Sequence, residues 1–358
     1  MTTLTQGRTN APPTIESLDH VEYYVGNAKM AAFFFINGLG FDLVAYAGPE
    51  TGVRDRTSYV VEQGSIRFVL TGALDPASPI AAYHNLHGDG IRAIAFRVSD
   101  AQAAAEYARA QGASMTTASG GVPAVTTYGD TTHSFLDQDL LAGPYAKYFR
   151  REERRGGGGL GLDSIDHIVG NVLRGELDGA MDFYHRVLGF NVAEEYINDT
   201  GSTTIRWRVL LSPNGQVTFP INEPGASARS PIDEYLVSFG GPGVHHVALH
   251  SNDIVGTVAA MRERGVRFVT IAPERYDELI APIPGVREPF AKLREHSILV
   301  DEDAPGYLLQ IFTAPLHDRP TTFFEIIQRA DGARGFGGKN VGALIESVER
   351  DQAARAAR

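Results

Sequence analysis

Hydrophobic and polar positions recur in one order along this chain: an alternating run, a helical run closed by glycine, then further alternating runs. Residues 17–25, Ser17-Leu18-Asp19-His20-Val21-Glu22-Tyr23-Tyr24-Val25, predict a strand. Ala31, Ala32, Phe33, Phe34, Phe35 and Ile36 follow as a helix, which Gly38-Leu39-Gly40 stops. Strands are expected over 57–62 and 66–70. A second round starts at Gly88-Asp89-Gly90-Ile91, runs through a helix over 101–111 that ends at Gly112, and closes with strands near 124–128 and 132–136.

The order then repeats. Ser164-Ile165-Asp166-His167-Ile168 repeats Ser17-Leu18-Asp19-His20-Val21, and residues 180–190 repeat 31–41. Residues 241–248 repeat 88–95, and a helix over 253–264 ending at Gly265 repeats 100–111. Thr321-Thr322-Phe323-Phe324-Glu325 is matched to Thr131-Thr132-His133-Ser134-Phe135. A duplication of this kind fixes the architecture. The expected fold is α+β: duplicated βαβββ modules forming two open, barrel-like halves with helices outside. Residues 1–14 are expected to be a disordered lead, 15–149 the first half, 150–160 a flexible Arg/Gly linker, and 161–358 the second half. Val341, Leu344, Ile345 and Val348 put a helical stripe into 339–358, a lid with Gly335, Gly337 and Gly338 as its hinge.

Composition narrows the chemistry. The 358 residues carry a net charge of −11, which argues against a nucleic-acid partner or an anionic membrane surface. No run is long enough to cross a membrane as a helix. There is no cysteine, so disulfides and thiolate metal sites are excluded and a reducing cytoplasm is the expected location. Eleven histidines leave nitrogen and oxygen as the available donors, a set that suits iron, zinc, manganese or nickel.

The strand expected over 321–329 holds one carboxylate, Glu325, among Phe323, Phe324, Ile326 and Ile327. A charge in such a strand is costly to bury unless a cation or a hydrogen-bond partner compensates it. Matching the repeats pairs His167 with His20, His246 with Ala93, and Glu325 with Phe135. Two histidines and a carboxylate on three strands of the second half are therefore read as a facial triad, which suits iron(II). Taken singly, each histidine is more commonly a satisfied core residue, and that reading is retained for His20. His245 adjoins His246 in a strand, so alternation points it to the opposite face unless a bulge turns it. It is read as an outer-face residue or a partner of its neighbour rather than as a ligand.

These segments resemble the 4-hydroxyphenylpyruvate dioxygenase and hydroxymandelate synthase family of the vicinal-oxygen-chelate superfamily. The resemblance rests on Ile165-Asp166-His167, Phe219-Pro220-Ile221-Asn222-Glu223-Pro224, Gly243-Val244-His245-His246-Val247-Ala248, Gly306 through Thr313, Arg319 through Arg329, and Gly335-Phe336-Gly337-Gly338-Lys339-Asn340. It implies that His167, His246 and Glu325 bind iron(II). The substrate would be a small 2-oxo acid that chelates the metal and is oxidised by O2 with loss of carbon dioxide, without 2-oxoglutarate. It also implies catalytic roles for Gln310 and Asn222, pocket positions for Phe312, Phe336 and Asn340, and a homo-oligomer, dimer or tetramer.

Against that family pattern the chain departs at four places. Trp207, its only tryptophan, replaces a small serine, while Pro231 and His245 each replace a glutamine. Val341 replaces the aromatic residue of the homogentisate-forming enzymes, as an aliphatic residue does in the hydroxymandelate-forming ones. These exchanges trade a hydroxyl-reading pocket end for a bulkier, more apolar one. The substrate expected is an arylpyruvate such as 4-hydroxyphenylpyruvate, with a phenylpyruvate-like or aliphatic 2-oxo acid as the second reading. A ring-cleaving extradiol dioxygenase and a non-catalytic small-molecule-binding protein are the rival functions, separable by catechol turnover and by bound iron.

Overall fold

A computed structural model describes residues 11–199, 203–225, 230–271, 276–277, 283–338, 340 and 342. Most of the expected lead and of the lid helix, Val341 included, lies outside these residues; Gly338, Asn340 and Gly342 are helical.

In the first half, β1 (Ile15–Tyr24) leads to α1 (Ala28–Asn37), β2 (Asp42–Ala47), β3 (Arg56–Gln63) and β4 (Ile66–Ala73). Then come α2 (Pro79–His87), β5 (Gly90–Val98), α3 (Ala101–Ala110), β6 (Met115–Ala118), β7 (Val122–Thr126), β8 (Thr132–Leu136) and β9 (Arg150–Gly156). In the second half, β10 (Leu162–Asn171) and α4 (Leu177–Leu188) precede β11 (Asn191–Asp199), β12 (Thr204–Leu211) and β13 (Thr218–Pro224). The chain continues through α5 (Pro231–Phe239), β14 (Gly243–Ser251), α6 (Ile254–Glu263), α7 (Phe290–His296), β15 (Leu299–Asp303), β16 (Gly306–Phe312) and β17 (Phe323–Ala330). Short polar side chains open the helices where the sequence places them. Asn27, Asp100 and Asp253 each accept from a backbone N–H of the first turn, and Ser230 and Asp233 form a capping box ahead of Pro231.

The two sheets share one topology. The second runs β11-β12-β13-β10-β14-β17-β16-β15, and the first runs β2-β3-β4-β1-β5-β8-β7-β6 in the same sense, with β9 added beside β2. Even the irregularities repeat. The β1/β5 ladder slips between Ile15 and Ser17, Leu18 and His20, and Glu22 and Tyr23; the β10/β14 ladder slips between Leu162 and Ser164, Ile165 and His167, and Val169 and Gly170. The duplicated α+β architecture is thus borne out down to its bulges.

Two sequence expectations are corrected. Residues 150–156 are no tether: they form β9, antiparallel to β2, with Asp42 opposite Gly156 and Tyr46 opposite Arg150. A charged strand suits a sheet edge, and Arg154 ion-pairs with Glu62 at 2.9 Å while the Arg150 guanidinium lies over the Tyr46 ring. The repeat match at the last strand also moves by one residue. Ala248 faces Glu325 across β14/β17, whereas its equivalent Ala95 faces Ser134 across β5/β8. The counterpart of Glu325 is therefore Ser134, not Phe135, and a one-residue slip turns a side chain to the other face.

That register sets the core. Phe324, fully buried on the outer face of β17, sits in the aromatic cluster of the first half against Phe35 (5.8 Å between centroids) and Phe68 (5.6 Å). Its counterpart His133 reaches into the core of the second half, against Phe219 (5.6 Å), with Nε2 2.7 Å from the Tyr184 hydroxyl. Burial holds the His133 imidazole at about 3, hence neutral. β8 and β17 thus each put a side chain into the core of the other half.

Candidate metal centre

β14 runs between β10 and β17, and this order assembles the site. Ala248 is the cross-strand neighbour of both His167 and Glu325. His246, two residues before it, shares its face by strand alternation. One ligand atom from each of His167, His246 and Glu325 lies within 4.8 Å of the others. Both imidazole Nε2 atoms are 3.4 Å from Glu325 Oε2, and all three side chains are buried. The methyl group of Ala248 keeps the space between them open.

Two bulges supply what stands behind the histidines. Asp166 is the extra residue where β10 takes two steps to β14's one. His245 is the extra residue where β14 takes two steps to β10's one. A regular strand would turn each away from its neighbour; a bulge re-aims it. Asp166 Oδ1 lies 2.7 Å from His167 Nδ1, and His245 Nδ1 lies 3.1 Å from His246 Nδ1. Of the two readings for His245, the outer face is therefore not taken: the bulge turns it to its neighbour, and it lines the cavity.

The charges differ sharply between the two sides. Burial alone would push the Asp166 carboxyl up, but Arg329 donates to both its oxygens, at 2.7 and 2.8 Å, and with His167 holds it well below the usual carboxylate range. Burial likewise opposes a charge on His167, yet Glu325 and Asp166 on either side raise it to about 9. Burial would raise Glu325, but the two histidines bring it down to about 2. His246 is lowered by burial, partly offset by Glu325, and His245 is lowered further by burial and by His246. One histidine is thus backed by an anion and the other by a neutral ring.

The buried, all-nitrogen-and-oxygen donor set suits a transition-metal ion, and the carboxylate behind His167 is the kind of outer partner that orients a ligand imidazole. Among the described residues no other such cluster of histidines and carboxylates is found.

A cavity of roughly 230 Å³ opens beside the triad. Asn222, Trp207, Pro231, His245, Gln310, Phe312 and Phe336 all line it. Trp207 therefore faces inward: its ring stacks on Tyr196 at 4.1 Å, and its Nε1 donates to Asn198 Oδ1 at 2.6 Å. Asn198 in turn donates to the Gly338 carbonyl, and Asn222 donates to Asn171. Gln310 donates to Glu325 Oε1 at 2.8 Å and accepts from Asn340 at 2.9 Å, so Asn340 acts behind Gln310.

The segment after β17 closes over this network. Arg329 donates to the Gly335 carbonyl and stands over the Phe336 ring, which meets His167 edge-on at 5.3 Å. Gly337 has φ +65°, and a Cβ there would lie 2.0 Å from Gln310 Oε1, so the close approach requires glycine.

Three contributors escaped the sequence reading. Phe323 stacks on His246 with centroids 4.8 Å apart, and its place two residues before Glu325 was the available signal. Arg329 carried no local signal, because its partner Asp166 is 163 residues away. Thr321 lines the cavity, and its buried hydroxyl has no hydrogen-bond partner among the described residues.

Comparison with known proteins agrees with this geometry. The chain matches the Glyoxalase/Bleomycin resistance protein/Dioxygenase superfamily over residues 17–139 and 164–311, once in each half. It is 36% identical to a 4-hydroxyphenylpyruvate dioxygenase of Yarrowia lipolytica, covering 97% of this chain and 95% of that protein. It is 38% identical to a 4-hydroxyphenylpyruvate dioxygenase of Danio rerio, covering 94% and 90%. Among solved structures, a mutant of 4-hydroxymandelate synthase from Streptomyces coelicolor superposes with a TM-score of 0.84 at 33% identity, over 95% of this chain and all of that one.

Proposed function

The chain belongs to the glyoxalase/dioxygenase superfamily and, within it, to the family of 4-hydroxyphenylpyruvate dioxygenases, and from that premise we propose that it is an iron(II)-dependent dioxygenase of a 2-oxo acid. The substrate class is an arylpyruvate. Its own 2-oxo acid group replaces a separate 2-oxoglutarate, and O2 is the co-substrate. Carbon dioxide leaves, and the remaining acid is oxygenated. The observation that carries this reading is the convergence of His167, His246 and Glu325 beside a cavity of this size and lining.

Bound iron would supply the redox chemistry of dioxygen; the protein's task is to bind, orient and exclude water. His167, His246 and Glu325 would hold the metal on one face, with substrate on the open face towards the cavity. Gln310 holds Glu325 by one carboxylate oxygen and leaves the other to the metal side. Asn222, fixed by Asn171, offers the cavity an amide. Phe312, Phe323 and Phe336 give an aromatic ring a wall on which to pack.

Trp207 and Pro231 shape the far end. With an indole committed to Asn198 and a proline that carries no side-chain polar atom, that end offers a phenol fewer hydrogen bonds than the family's serine and glutamine would. A phenylpyruvate-like substrate is the second reading supported by this lining. Homo-oligomerisation and a cytoplasmic location, the latter from the lack of cysteine, are kept as parts of the proposal.

Iron-loaded protein should consume dioxygen with 4-hydroxyphenylpyruvate or phenylpyruvate, releasing one carbon dioxide per dioxygen. Mass analysis of the products separates ring from benzylic oxidation. Absence of uptake with every aryl and aliphatic 2-oxo acid tried would overturn the reading.

A further inference from the structure

We propose that His245 is a positioning residue that sets the ring orientation and tautomer of His246, as Asp166 does for His167. The inference rests on the metal-binding reading above. The two ligand histidines are each preceded by the extra residue of a bulge in the same β10/β14 ladder. Each bulged residue turns a polar atom onto the Nδ1 of the following histidine, at 2.7 Å for Asp166 and 3.1 Å for His245. The first half keeps the β14 bulge at Arg92, but Ala93 stands where His246 would be, so no imidazole is held there.

A contact between two Nδ1 atoms requires one to donate and the other to accept. Without metal, His246 Nε2 carries the proton towards Glu325 Oε2 at 3.4 Å. Its Nδ1 then accepts from His245 Nδ1–H. A metal on His246 Nε2 displaces that proton, so His246 Nδ1 must donate and His245 Nδ1 must accept. The proton of His245 then sits on Nε2. The pair holds two protons in both states; loading exchanges the tautomers of both rings.

Packing holds His245 for this role. Its ring meets Phe323 edge-on at 4.7 Å and Tyr235 edge-on at 5.3 Å. Phe323 in turn stacks on His246, so the two imidazoles and one phenyl form a single block. His245 thus stands behind His246 where Asp166 stands behind His167, a neutral ring on one side and a carboxylate on the other.

The test uses the full chain, ¹⁵N-labelled at histidine, with zinc(II) as a diamagnetic probe. Addition of zinc should move His245 from the Nδ1–H to the Nε2–H form; an unchanged His245 tautomer overturns the proposal. Zinc and cobalt(II) affinities are then compared for His245→Phe and His245→Asn, since an asparagine Oδ1 can take the place of Nδ1 as acceptor. His245→Phe should bind about 10–100-fold more weakly, the usual effect of losing such a partner, and His245→Asn should recover most of the loss. Wild-type affinity in His245→Phe, or equal weakening in both variants, overturns it. None of these readouts uses turnover, so a failure of the dioxygenase reading would be seen separately, as absent dioxygen uptake with the metal still bound.

Discussion

The two halves of this protein share a fold, a strand order and three matching bulges, and differ in what they place at one point. In the second half that point holds His167, His246 and Glu325; in the first it holds His20, Ala93 and Ser134. His20 still has Asp19 behind it at 2.7 Å, as His167 has Asp166. The bulged Asp-His pair therefore does not require a metal site in front of it. The cavities diverge too. The first half keeps a void of roughly 40 Å³, walled by Tyr145, Tyr148 and Phe149, where the second keeps roughly 230 Å³. The frame positions side chains; two residue exchanges and three aromatic rings decide whether the position can do chemistry.

The largest effect should come from the residue that distinguishes the halves most. Glu325→Ala should lose metal binding and dioxygen uptake by at least about 100-fold, beyond the usual loss from an outer partner. Wild-type protein should gain about 2.7 kcal/mol from metal at a hundred times its Kd, read as a rise in Tm, and the variant at the same metal concentration should gain at most about 0.4 kcal/mol. Full retention of metal in Glu325→Ala would break the comparison at its root.

Next in size is the arginine behind each Asp-His pair. Arg329→Met leaves Asp166 charged and largely buried, and should lower stability by about 3 kcal/mol in urea unfolding. Arg67→Met should do less, because Asp19 keeps a second arginine, Arg97, at 3.6 Å. Equal losses would mean that the two pairs are structural alike.

Acidity gives a third handle on metal-free protein. The folded value of His167, about 9, lies above its ordinary 6.5, so its contribution to stability is fully present below 6.5 and is lost as pH rises through 9. Because metal displaces that proton, cobalt(II) affinity should climb about tenfold per pH unit over the same window. His167→Asn should flatten the stability profile, as followed by Tm against pH; an unchanged slope would place the titration elsewhere.

Smaller still, Gly337→Ala should push Gln310 off Glu325 and strain a residue at positive φ, lowering kcat about tenfold while leaving metal affinity within a few-fold. The smallest effect belongs to the first half. Ser134→Ala should leave dioxygen uptake within about twofold, within the range of an ordinary neutral substitution. A larger loss would show that the first half takes part in turnover.

Much of this was legible in the chain. The duplication, the three residues proposed as ligands and the glycine-rich segment after β17 could be read from Ser17 to Val21 against Ser164 to Ile168, from His246 in its strand, and from one carboxylate among Phe323, Phe324, Ile326 and Ile327. Charge pattern misled at residues 150–156, since an arginine-rich run serves an edge strand as well as a tether. Alternation left His245 open between the outer face and its neighbour, since a bulge adds a residue without marking it in the sequence, and the Glu325 counterpart slipped to Phe135 because only pairing with Ala95 selects Ser134.

What the sequence by itself determined was the repeat and the candidate donors: periodicity and residue type are local, and a cysteine-free chain leaves nitrogen and oxygen as the donors for a metal. What only the tertiary structure decided was orientation. Whether Trp207 lines the cavity, whether Arg329 reaches Asp166 from 163 residues away, and which atom of His245 meets His246 depend on strand register and bulges. A shift of one residue reverses the face a side chain presents, and pairing across the sheet, not local pattern, sets that residue.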